Sequence, residues 1–250
     1  ELDIIILGTS SPDRNYPSDA CSVQAAIGAV NAVAFDISAA CAGFIFAMNI
    51  VEGFFKAGIY KTALIIGAET LSKVTDWSDR GTCVLFGDGA GAAVLKAEET
   101  GIIDMMMGAD GTKGDVLACT SRTVGNFLTG TKPELGFMTM DGQEVFKFAV
   151  RKVPESVMEL LQRTGTKKED IKYYVLHQAN ERIIEAAARR LKEPMEKFPM
   201  TIGQFGNTST ASIPLLLDDM IQKDMLKRGD KIIMSGFGAG MTWGAVLMEW

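Results

Sequence analysis

Two glycine-rich strings in this chain repeat one another: F-G-D-G-A-G-A-A-V-L from Phe86 and F-G-A-G-M-T-W-G-A-V-L from Phe237. Each follows a lysine-led apolar segment, K-T-A-L-I-I-G from Lys61 and K-I-I-M-S-G from Lys231. Self-similarity over such a separation marks a duplicated supersecondary unit, in which each copy must bury an equivalent apolar face. Short apolar runs read as buried strands at residues 3–7, 33–37, 63–66, 84–86, 92–95, 173–176, 231–234 and 244–248. Between most of them, apolar residues recur at three- and four-residue spacing over 42–57, 143–163, 181–191 and 212–226, the pattern of half-buried helices. Alternation of this kind predicts an α/β fold with largely parallel strands, each copy closing on an antiparallel pair.

The copies are unequal in length. If the second begins near Ile102, it takes about 70 residues to reach its strand at Tyr173, whereas the corresponding strand of the first copy begins at Asp3. Residues 1–100 therefore read as an incomplete first half and 101–250 as a second half. An upstream segment is expected to belong to the first.

Composition narrows the function classes. The chain has 250 residues, 47% of them apolar, and a formal charge of −6, which suits a packed globular unit and excludes a disordered or collagenous one. An acidic balance without a basic block argues against nucleic acid as a general partner. The apolar stretches are interrupted by Asn31, Asp36, Asn49 and Glu52 before reaching the roughly 20 residues of a membrane span. Cys21, Cys41, Cys83 and Cys119 show no paired spacing, and His177 is the single histidine, so a zinc cluster is not expected. Free thiols fit a reducing compartment, and the cytoplasm is the expected location.

Three residues stand where chemistry is performed in α/β folds. In D-I-S-A-A-C-A-G-F, Cys41 lies between a strand and an apolar helix; there the helix N-terminus would favour a thiolate, and free amides could bind an oxyanion. A space-filling buried cysteine is the alternative. His177 opens H-Q-A-N at the carboxyl end of a strand, where ligand chemistry is commonly placed, although a single histidine is also a common structural residue. Asn207, in G-Q-F-G-N-T-S-T-A-S, precedes the helix that mirrors the Cys41 helix; it reads either as a helix cap or as a partner of the thiol.

Taken together, D-I-S-A-A-C-A-G-F, L-H-Q-A-N-E-R-I, G-N-T-S-T-A-S and G-F-G-A-G-M-T-W-G resemble, in order and spacing, the β-ketoacyl-acyl carrier protein synthase III family of the thiolase-like superfamily. The string D-R-G-T-C-V-L-F-G-D-G-A-G-A-A-V-L also looks characteristic, and the similarity runs from Glu1 to Trp250. The resemblance implies two thiolase-like halves in α-β-α-β-α layers, with about 70 further residues upstream in family members. It implies that Cys41 takes an acyl group from acyl-CoA, with the Cys41 and Ala239 amides as oxyanion hole, and that His177 and Asn207 stabilise the enolate of malonyl-acyl carrier protein. No metal or other cofactor is implied.

The same resemblance suggests Tyr16, Leu71, Phe86, Met138 and Phe237 as walls of a substrate tunnel, Tyr16 reaching a partner subunit. It suggests Lys147, Arg182, Arg189 and Arg190 as contacts for carrier protein or CoA, and a homodimer paired through the V-A-F-D-I strand. Gly87, Gly89, Gly91, Gly236, Gly238 and Gly240 are expected to shape tight turns, since no Walker lysine accompanies them. A related ketide or quinolone-type synthase, an acyl-transferring relative and a non-catalytic partner subunit remain open alternatives, as does a cysteine hydrolase.

Overall fold

The computed structural model describes residues 1–250. In chain order the regular elements are β1 (Ile4–Gly8), α1 (Asp19–Ala26), β2 (Val33–Ile37), α2 (Gly43–Lys56), β3 (Thr62–Glu69), β4 (Gly89–Lys96), β5 (Ile102–Ala109), β6 (Leu117–Cys119), β7 (Met138–Met140), α3 (Gly142–Thr164), β8 (Ile171–Leu176), α4 (Glu181–Leu191), α5 (Ile202–Phe205), α6 (Ser212–Gln222), β9 (Lys231–Gly238) and β10 (Thr242–Glu249). Two four-stranded sheets carry the architecture, ordered β2-β1-β3-β4 and β5-β10-β9-β8.

Strand periodicity explains the layers. In β1, Ile4 and Ile6 face one apolar cluster, while Ile5 and Leu7 face another; successive side chains leave a strand on opposite sides. The central cluster joins β1, β3 and α2 to α6, β8, β9 and β10, through Phe44, Ile45, Ile213, Leu216 and Met234 among others. α2 and α6 thus lie between the sheets. α3 and α4 cover the outer face of the second sheet, where Phe148, Leu160, Tyr174 and Ile184 pack, and α1 covers the outer face of the first. This is the expected α-β-α-β-α layering.

The duplication is visible in the pairings. β1 runs parallel to β3, which pairs antiparallel with β4; β8 runs parallel to β9, which pairs antiparallel with β10. The fourth strands do not correspond. β2 flanks β1, whereas β5 flanks β10, so the outer edge of β4 is open where that of β10 is covered. A depression of about 1000 Å³, lined by Val51, Phe55, Val94 and Trp250 among others, lies along that edge.

Several expectations need correcting. Residues 84–86 are not a strand: local turn hydrogen bonds from Thr82, Cys83 and Leu85 satisfy the backbone there, Val84 is exposed, and Phe86 makes only an isolated bridge to Asn207. α6 ends at Gln222 rather than 226, because Asp224 takes a left-handed conformation (φ 54°) just beyond it. Of the six glycines assigned to turns, Gly89, Gly91, Gly236 and Gly238 lie inside strands, where they permit close approach of the other half. A Cβ on Gly91 would meet Pro214 Cβ at 2.9 Å. β5 and α1 have no counterpart among the sequence expectations.

Candidate active site

β2 runs into a short turn, Ala40–Ala42, that leads directly into α2. Cys41 therefore stands at the head of a buried helix. Ala40 is forced to φ 45°, a left-handed conformation that costs about 1–3 kcal/mol for a non-glycine residue unless its surroundings hold it. Both supports come from the second half: the Thr210 hydroxyl donates to the Ala40 carbonyl at 2.8 Å, and the Thr242 hydroxyl to the Ala39 carbonyl at 3.1 Å. Gly238 passes so close that a Cβ there would stand 2.5 Å from Cys41 N. Neither the Cys41 nor the Ala239 amide is engaged with a backbone acceptor, which leaves both able to donate.

Burial pushes the Cys41 thiol up to about 12; the adjacent Ser209 hydroxyl opposes this and the Glu69 carboxylate reinforces it. The expected thiolate is therefore not the resting form. Desolvation of an anion at a buried site outweighs the helix N-terminus, and Cys41 rests as a thiol at neutral pH.

His177 follows β8 and is 2% exposed. Its Nδ1 lies 2.7 Å from Ser212 Oγ, which also accepts the Gln178 amide at 3.3 Å. A hydroxyl so placed can donate to Nδ1, and in that tautomer Nε2 carries the ring proton as a donor. The Phe237 ring packs against the imidazole at 5.4 Å between centroids. Ser212 was not expected from the sequence: it sits in a string rich in hydroxyls, all of which suit a helix start.

Burial depresses the His177 imidazole to about 3. The unfolded chain, with a histidine near 6.5, takes up a proton that the native protein refuses between about pH 6.5 and 3. Stability is therefore lost as pH falls through that window, by about 2 kcal/mol from pH 7 to pH 5 for this group. Urea denaturation should show this loss, and His177→Gln should lack it. Equal pH slopes in the two proteins would contradict the assignment.

Asn207 is fixed at both ends. Its backbone amide donates to the Leu85 carbonyl and its carbonyl accepts from Gly87, each at 2.9 Å. Its Oδ1 accepts the Ser209 amide at 2.8 Å, leaving Nδ2 as the free donor. Cys41, His177 and Asn207 line one cavity of about 110 Å³, with Phe86, Phe237, Gly238, Leu85, Leu117, Met140, Val145, Phe146 and Ile183 among its walls. The structure thus brings the three sequence candidates together. Of the tunnel residues, Phe86 and Phe237 line this cavity. Leu71 and Met138 are buried outside its lining, and Tyr16 is 85% exposed.

Lys147 lies on α3 just beyond the cavity residues Val145 and Phe146, paired with Glu144 at 2.7 Å. Arg182 adjoins Ile183 at the start of α4. Arg189, paired with Glu185, and Arg190, whose guanidinium donates to the Val150 carbonyl, lie about 10 Å farther along that helix. No group of three or more His, Cys, Asp or Glu side chains converges in a form that could hold a metal ion.

The chain is similar to known proteins over its whole length. The 3-oxoacyl-[acyl-carrier-protein] synthase III family model matches residues 35–111, and its C-terminal counterpart matches 161–250. A β-ketoacyl-[acyl-carrier-protein] synthase III of Clostridium novyi is 53% identical, and one of Clostridium acetobutylicum 51%, each over all of this chain and 78% of the relative. The crystal structure of 3-oxoacyl-[acyl-carrier-protein] synthase III from Aquifex aeolicus superposes with a TM-score of 0.91 at 45% identity, covering 100% of this chain and 77% of that one.

Proposed function

The chain belongs to the β-ketoacyl-[acyl-carrier-protein] synthase III family, and on that premise we propose that Cys41, His177 and Asn207 carry the two half-reactions of its condensation. The enzyme is an acyltransferase of the condensing class with a thiolase-like fold, and it initiates fatty acid synthesis. The observation that carries the residue assignment is the convergence of one thiol, one neutral imidazole donor and one amide donor on a single buried cavity.

In the first half-reaction Cys41 Sγ attacks the carbonyl carbon of an acyl-CoA. The carbon–sulfur bond to CoA breaks, and the thiol proton leaves with the CoA thiolate. The amides of Cys41 and Ala239 receive the oxyanion. In the second, the carboxylate of malonyl-acyl carrier protein departs as carbon dioxide, leaving an enolate whose oxygen accepts hydrogen bonds from His177 Nε2 and Asn207 Nδ2. Its carbon attacks the acyl-Cys41 carbonyl. β-Ketoacyl-acyl carrier protein forms, Cys41 is expelled as thiolate, and one proton from solvent restores the thiol. A neutral imidazole and an amide suit this step because they donate without trapping the enolate as an ion pair. Decarboxylation drives the sequence, and no cofactor takes part.

Lys147 and Arg182 flank the cavity and would meet the phosphate-bearing arm of CoA or an acidic carrier protein, with Arg189 and Arg190 extending that surface. β2 is an edge strand, and its open side would pair with a second copy to give a homodimer. That pairing would bring Tyr16 to the partner's cavity. The two thiolase-like halves, residues 1–100 and 101–250, then divide the work: the first supplies the nucleophile, the second the enolate donors. No helix is long and apolar enough to cross a membrane; the free thiols of the sequence are the ground for a cytoplasmic location.

Intact-mass measurement after exposure to acetyl-CoA and longer acyl-CoAs should show one acyl group on Cys41. Addition of malonyl-acyl carrier protein should then discharge it as a β-ketoacyl product. Release of free acid alone would favour a hydrolase, and no acylation of the folded protein would favour a partner subunit.

A further inference from the structure

Glu69 ends β3 and is 4% exposed, with no Lys or Arg in ion-pair distance. Its carboxylate instead collects donors from both halves. Oε2 accepts from the Ser11 hydroxyl (2.6 Å), the Ser10 amide (3.0 Å) and the Thr9 hydroxyl (3.3 Å). Oε1 accepts from the Ser209 hydroxyl (2.9 Å) and faces the Thr210 hydroxyl (3.0 Å). A buried carboxylate without a cation is a costly way to fill such a position, and the four donors from Ser11, Ser10, Thr9 and Ser209 define a group that must only accept.

The consequences for the site differ on its two sides. Thr210 has one proton and two acceptors, the Ala40 carbonyl at 2.8 Å being the nearer, so the turn bearing Cys41 keeps its support without Glu69. Loss of the Glu69 charge, which opposes ionisation of Cys41, does not weaken the nucleophile. Ser209 gives its hydroxyl proton to Glu69 and lies beside Cys41. It is held at φ 51°, and its amide is the group that orients Asn207 Oδ1. Resting on the roles proposed above, we infer that Glu69 is a positioning residue for the enolate step: through Ser209 it aims the Asn207 amide, and it does so with little influence on acyl transfer to Cys41.

Glu69→Gln tests this: the Ser10 amide can only donate, so the carboxamide oxygen stays on that side and the NH2 turns to the Ser209 hydroxyl, which must then accept, reversing the link. Two rates are measured: acylation of Cys41 by acetyl-CoA, and release of carbon dioxide from malonyl-acyl carrier protein. Expected is a loss of about 30-fold or more in decarboxylation with acylation within about threefold of the parent, and no further loss when Glu69→Gln is added to Asn207→Ala. Equal losses in both rates, no loss in either, or additive losses in the double variant would overturn the inference. Should Glu69→Gln fail to fold, Ser209→Ala removes the same link and, because its hydroxyl also lies beside Cys41, is read by the decarboxylation rate and its non-additivity with Asn207→Ala alone. If the parent itself neither acylates nor condenses, the proposed function fails instead, and the two failures are thereby distinguished.

Discussion

Cys41→Ser should eliminate the mass gain on incubation with acyl-CoA and lower overall condensation by about 10⁴-fold or more, the scale of removing a nucleophile that acts in concert with its neighbours. The residue sits at a braced, left-handed turn with the neighbouring backbone amides free, so geometry is preserved while the reacting atom changes. An alcohol is harder to ionise than a thiol, and this cavity already raises the thiol to about 12 by burial. Serine would therefore be held still more firmly in its neutral form. Undiminished acylation of the variant would place the acyl group on another side chain and dissolve the assignment.

The second large effect concerns Asn207→Asp. The side chain keeps its size, and one carboxylate oxygen can still accept the Ser209 amide. The other replaces a donor with an anion aimed at the place where enolate charge develops. Loss of one oxyanion donor costs about 10²–10³-fold, and the repulsion adds to it. Condensation and malonyl decarboxylation should fall by at least that factor, whereas Cys41 acylation, which does not use this donor, should fall far less. Single-turnover measurement of each half-reaction separates the two, and parallel losses would argue against the role given to Asn207.

Much of this site was legible in the sequence because each of the three proposed catalytic side chains sits at a break between periodic elements. Cys41 follows a strand-like run and opens an apolar helix, His177 ends β8, and Asn207 precedes the helix that mirrors α2. What could not be read is set by distance in space. The acidity of Cys41 was misjudged because a local string reveals a helix start but not how thoroughly the opposite half seals it from water. Ser212 is one hydroxyl among several in N-T-S-T-A-S, and only the fold selects the one beside His177 Nδ1. The fold shows the same division. Leu85 and Phe86 are apolar and resemble a strand, yet they form a loop whose backbone holds Asn207. The Met-rich β5 was missed because I-I-D-M-M-M-G-A lacks a clean alternation, and it becomes a strand by pairing with β10.

The central layer of α2 and α6 has a consequence for how the enzyme comes into being. Its apolar cluster draws on both sheets at once, and Glu69 reaches 140 residues along the chain to Ser209. Neither half can therefore mature its share of the catalytic apparatus in isolation. During synthesis Cys41 emerges first, and the groups that brace its turn, the imidazole and amide beside it and the walls that close the cavity follow only with the later half. Such an arrangement ties competence to completion: an unfinished chain carries the thiol but not the site around it.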